Sequence, residues 1–347
     1  MGVQMNVVRR VQAMPACALA LAFSVAAACN TTAQAHEFYA GKTITLLVGY
    51  AAGGGYDVNA RMLSRHLGEH IPGHPAVLVV NMPGAGTLRA LEYLQRTAPK
   101  DGTVIGLFDF TQITNSLLTP QKVPVDFRKF KWIGSIAKDL AVCYVWHTRN
   151  AKTLADVQKL SVVHMGRTNP GSSSDLEQKI FSKIFKVKVQ SVAGYAGSSE
   201  AVLAVERGEL DGGCLTWSSL PPNWMAQNKI VPILKLSSAT APDLPASVPN
   251  ALDIAPDKKS QQIIRMLTAS GEVGKPFVVP LSVPDDRVAI LREGFAATVK
   301  DPAFLADAER LHQPVSPTLG TDATKILDDI YATPPDVVDA ARAVASD

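Results

Sequence analysis

The sequence predicts an α/β fold in which mainly parallel sheets, flanked by helices, are divided between two domains. Short apolar runs alternate with amphipathic segments from residue 43 to about residue 238, as in strand–helix–strand units. Glycine-rich turns follow several of these runs. In parallel sheets, ligands bind beyond the carboxyl ends of the strands, where such turns lie. A length of 347 residues is long for one core and suits two domains.

The elements follow from the apolar runs and the helical periodicity in chain order. The predicted strands are 44–48, 77–80, 104–107, 142–146, 162–165, 187–191, 213–216 and 231–236. The predicted helices are 57–70, 88–97, 154–159, 174–185 and 199–207. The segment 278–299 then predicts a strand followed by a helix that begins near Asp285 or Asp286, and two further helices, 303–311 and 321–331, are expected to end the chain.

The first 35 residues predict an export signal. Arg9 and Arg10 form a basic start, residues 13–28 are apolar but short for a membrane span, and small residues precede a cut before His36. Cys29 leaves a lipoprotein signal as an alternative. We expect the chain after the signal to be soluble, because it has no run of about 18 apolar residues.

Removal of the signal would leave 312 of the 347 residues. The whole chain carries a formal charge of +3, and the signal contains two arginines and no acids, so the mature charge would be +1. A nearly neutral chain without a basic cluster argues against nucleic acid or a membrane surface as a partner.

Two cysteines, Cys143 and Cys214, remain after the signal. In an oxidising compartment they could form a disulfide. The alternative is that both are small, buried, apolar residues on strands.

The first candidate site is the turn 51–57, between an apolar run and a helical segment. Gly53, Gly54 and Gly55 allow positive φ and bring a ligand close to N–H groups at the positive end of a helix. An ordinary tight turn is the alternative, although it rarely needs three glycines. The turn is not a P-loop, and Val58 breaks the dinucleotide-binding spacing. We therefore interpret it as an anion site.

Asp57 in this turn has three possible roles. It could cap the helix, which is worth ~1 kcal/mol, or pair with Arg61 one turn later, which is worth a few tenths of a kcal/mol. It could instead hold a ligand ammonium or a bound water. Like charges repel, so we do not expect it to touch a ligand carboxylate directly. Structural capping is the favoured interpretation.

The second candidate site is the turn 81–87. Pro83 fixes φ, and Gly84 and Gly86 free the backbone after it. Thr87 can cap the next helix. A second helix start aimed at the same crevice would add donors for the same anion.

The third candidate site is the polar turn 166–175. Its hydroxyls and N–H groups at a helix start suit oxyanions, and Arg167 could add charge. The alternative is a capped helix in a polar loop. No G-x-S-x-G motif occurs here, so a nucleophile elbow is not predicted.

The fourth candidate site, 193–200, also leads into a helix. Tyr195 could cover a ligand and Ser198 could donate to it. Trp217 lies just past the next strand, where it could line the cleft or fill the core.

Three histidines provide a rival interpretation as metal ligands. His66, His70 and His74 are spaced by four residues. Pro72 and Gly73 should end the helix before His74, and no carboxylate or cysteine partner is evident from the sequence. A solvated helix end is favoured, so we predict no metal and no cofactor.

Five short motifs occur one after another along nearly the whole mature chain. They are Gly53-Gly54-x-x-Asp57-x-x-x-Arg61, Asn81-x-Pro83-Gly84-Ala85-Gly86, Pro99-x-Asp101-Gly102-Thr103, Gly171-Ser172, and Tyr195-x-Gly197 leading to Gly208-x-x-Asp211. Their order and spacing resemble the Bug/TctC family, the periplasmic substrate-binding receptors of tripartite tricarboxylate transporters. The chain departs from the family at Tyr56, Thr87, Ser174 and residues 193–196, which lie on the ligand-facing loops.

The resemblance implies a two-domain clamshell (Venus flytrap) of the type II periplasmic binding protein class. Residues 1–35 would be the signal peptide, 36–139 plus 239–347 the first domain, and 140–238 an inserted second domain. The first two turns would grip a ligand carboxylate, and the loops of the insert would close over its other end. The candidate ligand-binding residues are Ala52, Gly53, Gly54, Gly55, Tyr56, Asp57, Gly84, Ala85, Gly86, Arg167, Thr168, Ser172, Ser173, Tyr195, Ser198, Asp211 and Trp217.

Together these features favour a monomeric periplasmic receptor that captures a small organic acid and delivers it to integral membrane transporter subunits. A ligand sensor for a signalling partner is one alternative. An exported hydrolase is another, but the sequence offers it no nucleophile–base pair. We therefore expect no enzymatic activity.

Overall fold

The computed structural model describes residues 1–2 and 38–346, and the predicted export signal lies outside the described residues. The described part contains two β-sheets. Its strands are β1 (Thr43–Val48), β2 (Ala76–Asn81), β3 (Val104–Leu107), β4 (Phe130–Ser135), β5 (Ala141–Trp146), β6 (Val163–Arg167), β7 (Val189–Ala193), β8 (Gly212–Thr216), β9 (Ile230–Lys235), β10 (Pro276–Pro280) and β11 (Thr318–Leu319).

Helices lie between the strands and after them. They are α1 (Gly55–His66), α2 (Leu88–Arg96), α3 (Thr111–Leu118), α4 (Leu154–Lys159), α5 (Ser173–Lys179, continued by a π-helical turn at Ile180–Ile184), α6 (Ser198–Glu206), α7 (Asn223–Ala226), α8 (Lys258–Thr268), α9 (Asp285–Thr298), α10 (Pro302–Arg310), α11 (Gly320–Tyr331) and α12 (Pro335–Ala345).

The two sheets share one topology. The first has the order β11-β4-β10-β3-β1-β2, and the second has the order β7-β6-β8-β5-β9. In the first sheet β1 to β4 run in one direction and β10 is inserted antiparallel between β3 and β4. In the second sheet β6 to β9 run in one direction and β5 is inserted antiparallel between β8 and β9. The predicted α/β fold with mainly parallel sheets flanked by helices is confirmed.

The central strands of each sheet are buried on both faces, as the apolar runs predicted, whereas the edge strand β2 exposes Leu78 and Val80. Alternate residues of β1 point to different cores, with Leu46 in one cluster and Leu47 in another. The same holds for β5, where Tyr144 and Val145 belong to different clusters. Helices cover these faces because such strands cannot leave either side in water.

The elements that were not predicted from the sequence are the strands β4 and β11 and the helices α3, α7, α8 and α12. β4 contains Lys131, whose charge interrupts the apolar pattern of the strand. The Lys131 ammonium donates to the exposed carboxylate of Asp285 at 2.5 Å, so the charge is paired outside the core. α3 is polar on most sides, yet Asn115 is buried because it donates to the Gly171 carbonyl at 2.5 Å. The expectation that 321–331 ends the helical part of the chain was wrong, since α12 follows.

The chain passes between the sheets twice. It leaves the first sheet after Ser135 and enters the second at Ala141, and it returns between Lys235 and Pro276. The return segment includes α8, which packs with α12 against the core of the second sheet.

Cys143 and Cys214 form a disulfide. They face each other directly on the antiparallel strands β5 and β8. Of the two interpretations left open by the sequence, pairing is the one that the structure contains.

Asp307 of α10 fixes the helix that follows the first glycine turn. Its carboxylate accepts hydrogen bonds from Arg65 at 2.8 Å, from Arg310 at 2.5 Å and from His66 at 3.3 Å. Burial alone would raise the pKa of Asp307, but these hydrogen bonds outweigh it and lower the pKa to about 2. His70 similarly contacts Asp301 at 2.7 Å, so two of the predicted solvated histidines have carboxylate partners.

The depressed pKa of Asp307 predicts an acid-sensitive contribution to stability. Because the folded pKa lies below the ordinary value of 3.8, this contribution is complete above about pH 4 and is lost as the pH falls toward about 2. We expect the free energy of unfolding of the wild type to fall more steeply over that range than that of Asp307→Asn, as measured by urea unfolding. Asp322→Asn, in an exposed pair with Lys325, is the control. Equal slopes for wild type and Asp307→Asn would contradict the prediction.

Candidate functional site

Three helix starts meet at one cavity between the two sheets. The cavity has about 40 Å³ of space for the centres of water-sized molecules, enough for a few waters. The start of α1 contributes Gly54, Gly55 and Tyr56, while the starts of α5 and α6 contribute the other backbone walls. The remaining lining residues are Tyr50, Thr168, Ser173, Ser174, Gly197, Ser198, Leu215, Thr216, Ser219 and Lys275.

The first N–H groups of a helix have no acceptor within the helix. At the start of α1 these groups belong to Gly55 and Tyr56, both at the cavity. The helix dipole adds partial positive charge at the same place. The arrangement therefore suits a small anion.

Asp57 supports the first turn from behind. Its carboxylate accepts hydrogen bonds from the Gly53 N–H, from Arg61 and from the Asn81 amide, each at 2.9 Å. Burial by itself would raise the pKa of Asp57, and the bonds from Arg61 and Gly53 outweigh it, so the pKa is lowered. Of the three roles that the sequence allowed, the structure contains the pair with Arg61. The favoured helix cap is absent, because the start of α1 has no side-chain cap and Asp57 instead accepts from the Gly53 N–H that precedes it.

The glycines of this turn allow close approach across the gap. A Cβ at Gly54 would lie 3.5 Å from the Ser198 hydroxyl, and a Cβ at Gly55 would lie 2.4 Å from the Ser219 hydroxyl. Gly53 has a φ of +86° and an unobstructed Cβ direction, so its role is conformational. Ala52, beside it, is exposed.

The second turn lies beside the cavity rather than in its wall. Gly84, Ala85 and Gly86 all have positive φ, and the Gly86 carbonyl accepts a hydrogen bond from Gln112 at 2.8 Å. These three residues are absent from the described lining. The expectation that Thr87 caps the next helix was wrong, because its hydroxyl instead accepts from the Asp109 N–H at 3.1 Å.

The third turn is divided between the cavity and its support. Thr168 and Ser173 line the cavity. Ser172 is buried and its hydroxyl caps α5 at the Asp175 N–H. Arg167 is paired with Asp175, which leaves its charge engaged within the turn.

The fourth turn brings only part of its predicted set to the cavity. Ser198 lines it, while Tyr195 does not belong to the described lining. Asp211 accepts from the His164 N–H at 2.7 Å and pairs with Arg149 at 3.3 Å. Trp217 lines a larger neighbouring cavity, described below.

Lys275, which is the cation at the cavity, was not among the ligand-binding residues predicted from the sequence. Its side chain is 4 % exposed, and its ammonium lies 4.5 Å from the Tyr56 ring centre and 3.8 Å from the Asp139 carboxylate. The available signal was a lysine placed directly before the apolar run of β10, a position where a charged side chain becomes buried.

Asp109 was also missed, although it joins the two sides of the gap. It accepts a hydrogen bond from the Tyr50 hydroxyl at 2.5 Å and one from the Ser173 N–H of α5 at 3.2 Å. Thr111 donates to the same carboxylate twice. Burial, followed by the charge of Asp109, raises the pKa of Tyr50 and of Tyr56 well above the ordinary value. Both phenols therefore stay neutral.

A larger cavity of about 730 Å³ lies beside the first and shares Thr216 with it. Trp217 is part of its wall, and the indole N–H donates to Asp243 at 2.9 Å. Lys138, its only lysine or arginine in the described lining, pairs with Glu272 at 2.6 Å. The smaller cavity is therefore the better anion site, because it combines helix starts with a buried ammonium.

Metal ligation has little support in the described residues. Among residues 38–346, no group of three or more His, Cys, Asp or Glu side chains is placed to hold a metal ion.

Within the same part of the chain, every helix is too short or too polar to cross a bilayer.

Comparisons with known proteins agree with the fold. No family model matches the sequence. A curated relative, the UPF0065 protein in the TAR-I ttuE-ttuC' intergenic region of Agrobacterium vitis, is 26% identical over 187 residues, which are 52% of this chain and 53% of that protein. The chain thus spans about half the length of the curated relative it matches.

Two solved structures match over most of their length. The periplasmic binding protein BugD superposes with a TM-score of 0.69 at 18% identity, covering 88% of this chain and 98% of BugD. MatC from Rhodopseudomonas palustris with bound malate superposes with a TM-score of 0.69 at 18% identity, covering 86% of this chain and 99% of MatC. The predicted resemblance to Bug/TctC proteins is confirmed at the level of the fold, and these neighbours are binding proteins rather than enzymes.

The close contact at Gly55 predicts the effect of a side chain there. In Gly55→Val the added atoms would meet Ser219, and we expect the domains to separate rather than accept an overpacking cost of about 1–3 kcal/mol. Small-angle X-ray scattering should show a larger radius of gyration, with a melting temperature near that of the wild type. Gly197→Ala is the control, because a Cβ there meets nothing within 4 Å. Unchanged scattering by Gly55→Val would contradict the prediction.

Proposed function

We propose that this chain is a periplasmic solute-binding receptor that captures a small organic acid by domain closure and delivers it to a tripartite tricarboxylate-type membrane transporter. The observation that carries the proposal is the meeting of three helix starts and a buried ammonium at one cavity. The sequence of the first 35 residues supports export to the periplasm, and we propose that the receptor is monomeric.

The proposed ligand carboxylate binds at the N–H groups of Gly55 and Tyr56, opposite Ser198. Lys275 lies close enough to add its charge to the same cavity. Charge-assisted hydrogen bonds contribute about 1.5–3 kcal/mol each. A few of them suffice for a micromolar affinity, which corresponds to about −8 kcal/mol.

Closure follows from where the two chain crossings lie. We propose a first domain of residues 36–139 plus 239–347 and a second of 140–238, connected by the crossings 136–140 and 236–275. Because α8 and α12 of the first domain pack against the core of the second sheet, closure would carry these two helices with the second domain. A ligand held by both sides favours the closed form by its difference in affinity for the two states. The bonds of Asp109 to Ser173 and of Gln313 to the Ser218 carbonyl at 3.1 Å support the closed arrangement.

Calorimetric titration with a panel of mono-, di- and tricarboxylates, each with and without an amino group, tests the proposal. At least one acid should bind, and at about 100 times its Kd it should stabilise the fold by about 2.7 kcal/mol. Lys275→Met should raise the Kd of that acid at least tenfold, since the substitution removes a charge-assisted contact. Lys138→Met, whose lysine is partly exposed beside Glu272, is the control and should bind normally. A panel without heat or thermal shift would refute the receptor function.

A further inference from the structure

Glu177 is a buried carboxyl that the proposed anion site does not use. It lies on α5, one turn after Ser173, and its side chain is largely buried at a residue exposure of 6%. One carboxyl oxygen, Oε2, is buried without a hydrogen-bond partner. A buried polar atom normally finds such a partner, so this oxygen indicates a missing donor.

Glu177 lines a second small cavity next to the first. This cavity has a volume of about 20 Å³, measured as space for the centres of water molecules. Ser173 lines both this cavity and the anion cavity. Asp139, Thr111 and Thr268 provide its other polar walls. The remaining walls are mostly apolar and are formed by Phe110, Leu176, Ile180, Leu236 and Leu267. The space therefore suits one small polar group.

The two cavities together contain more carboxyl groups than cations. Asp139 and Glu177 line the second cavity, and Asp109 binds the shared Ser173 N–H. Lys275 is the single lysine or arginine among the described residues that line either space. It is 3.8 Å from Asp139, longer than a hydrogen bond, so Asp139 keeps the capacity to accept from another donor. An acid without a cationic group would add negative charge to this set.

We propose that the ligand is a small amino acid, whose carboxylate binds at the helix starts of α1 and α6 and whose ammonium binds between Glu177 and Asp139. This proposal rests on the proposed receptor function. The ammonium supplies the donor that Oε2 lacks and balances the negative charge that Glu177 gains when it ionises on binding. The Thr168 hydroxyl, also buried without a partner, provides a further donor to the carboxylate at the anion cavity.

The titration of Glu177 gives the proposal a second readout. Burial, followed by the charges of Asp139 and Asp109, raises the pKa of Glu177 well above its ordinary value, and Lys275 offsets this only in part. Burial also raises the pKa of Asp139, and it raises the pKa of nearby Tyr50 well above the ordinary value, so that this phenol stays neutral. An arriving ammonium favours the ionised carboxylate, so the amino acid should release a proton on binding and the matched acid should not.

The test compares matched ligands on purified full-length mature protein. The pairs are 4-aminobutyrate with butyrate, aspartate with succinate, and glutamate with glutarate, titrated in buffers of different ionisation enthalpy. In at least one pair we expect the wild type to bind the amino acid at least tenfold more tightly, with release of up to one proton. Glu177→Gln should remove both the preference and the proton release. Glu206→Gln, on the exposed pair with Lys229, should change neither.

The outcomes separate this proposal from the receptor function. Equal or tighter binding of the acids that lack an amino group overturns the ammonium subsite and leaves the receptor function intact. A preference that survives in Glu177→Gln also overturns the subsite. Absence of binding by every pair and by the wider carboxylate panel overturns both. If Glu177→Gln does not fold, the ligand preference and the proton count of the wild type still decide the question.

Discussion

Close approach of bare backbone across the gap is the constraint on which the candidate site depends. Gly54 and Gly55 stand against Ser198 and Ser219, and a Cβ at Gly55 would lie 2.4 Å from the Ser219 hydroxyl. Because Gly54 and Gly55 have no side chains, the helix starts can face a cavity that is only large enough for a few water molecules. In such a space, N–H groups and charges interact more strongly than in bulk water, because solvent screening is reduced.

The carboxyl groups around this gap, Asp109 and Glu177, differ in how fully their oxygens are hydrogen-bonded. Asp109 has its oxygens engaged by Tyr50, Thr111 and Ser173, so its negative charge joins the two sides of the gap. Glu177 has an oxygen without such a partner. Positive helix starts in one cavity therefore lie beside incompletely satisfied carboxyl groups in the next. This distribution accommodates a molecule with both signs of charge better than a simple anion.

The sequence predicted the fold well where apolar runs were uninterrupted. The prediction of β3 as 104–107 and of α4 as 154–159 matched the structure at both ends. It failed at α3, because the polar residues that disguise this helix are buried with distant partners: Thr111 and Asn115 donate to the Gly171 carbonyl, and Gln112 donates to the Gly86 carbonyl. Such contacts come from a distant part of the chain, so local periodicity does not reveal them.

The sequence by itself determined the local chemistry of the turns. A strand, a run of glycines and a helix start must leave N–H groups without helical acceptors, whatever surrounds them. Asp57 removes the Gly53 N–H by a local bond, but only the tertiary structure decided that Gly55 and Tyr56 face a cavity lined by distant segments. It also brought Lys275, Asp139 and Glu177 to the same gap, from three separate segments. Burial and charge balance are properties of that meeting, and no single segment of sequence contains them.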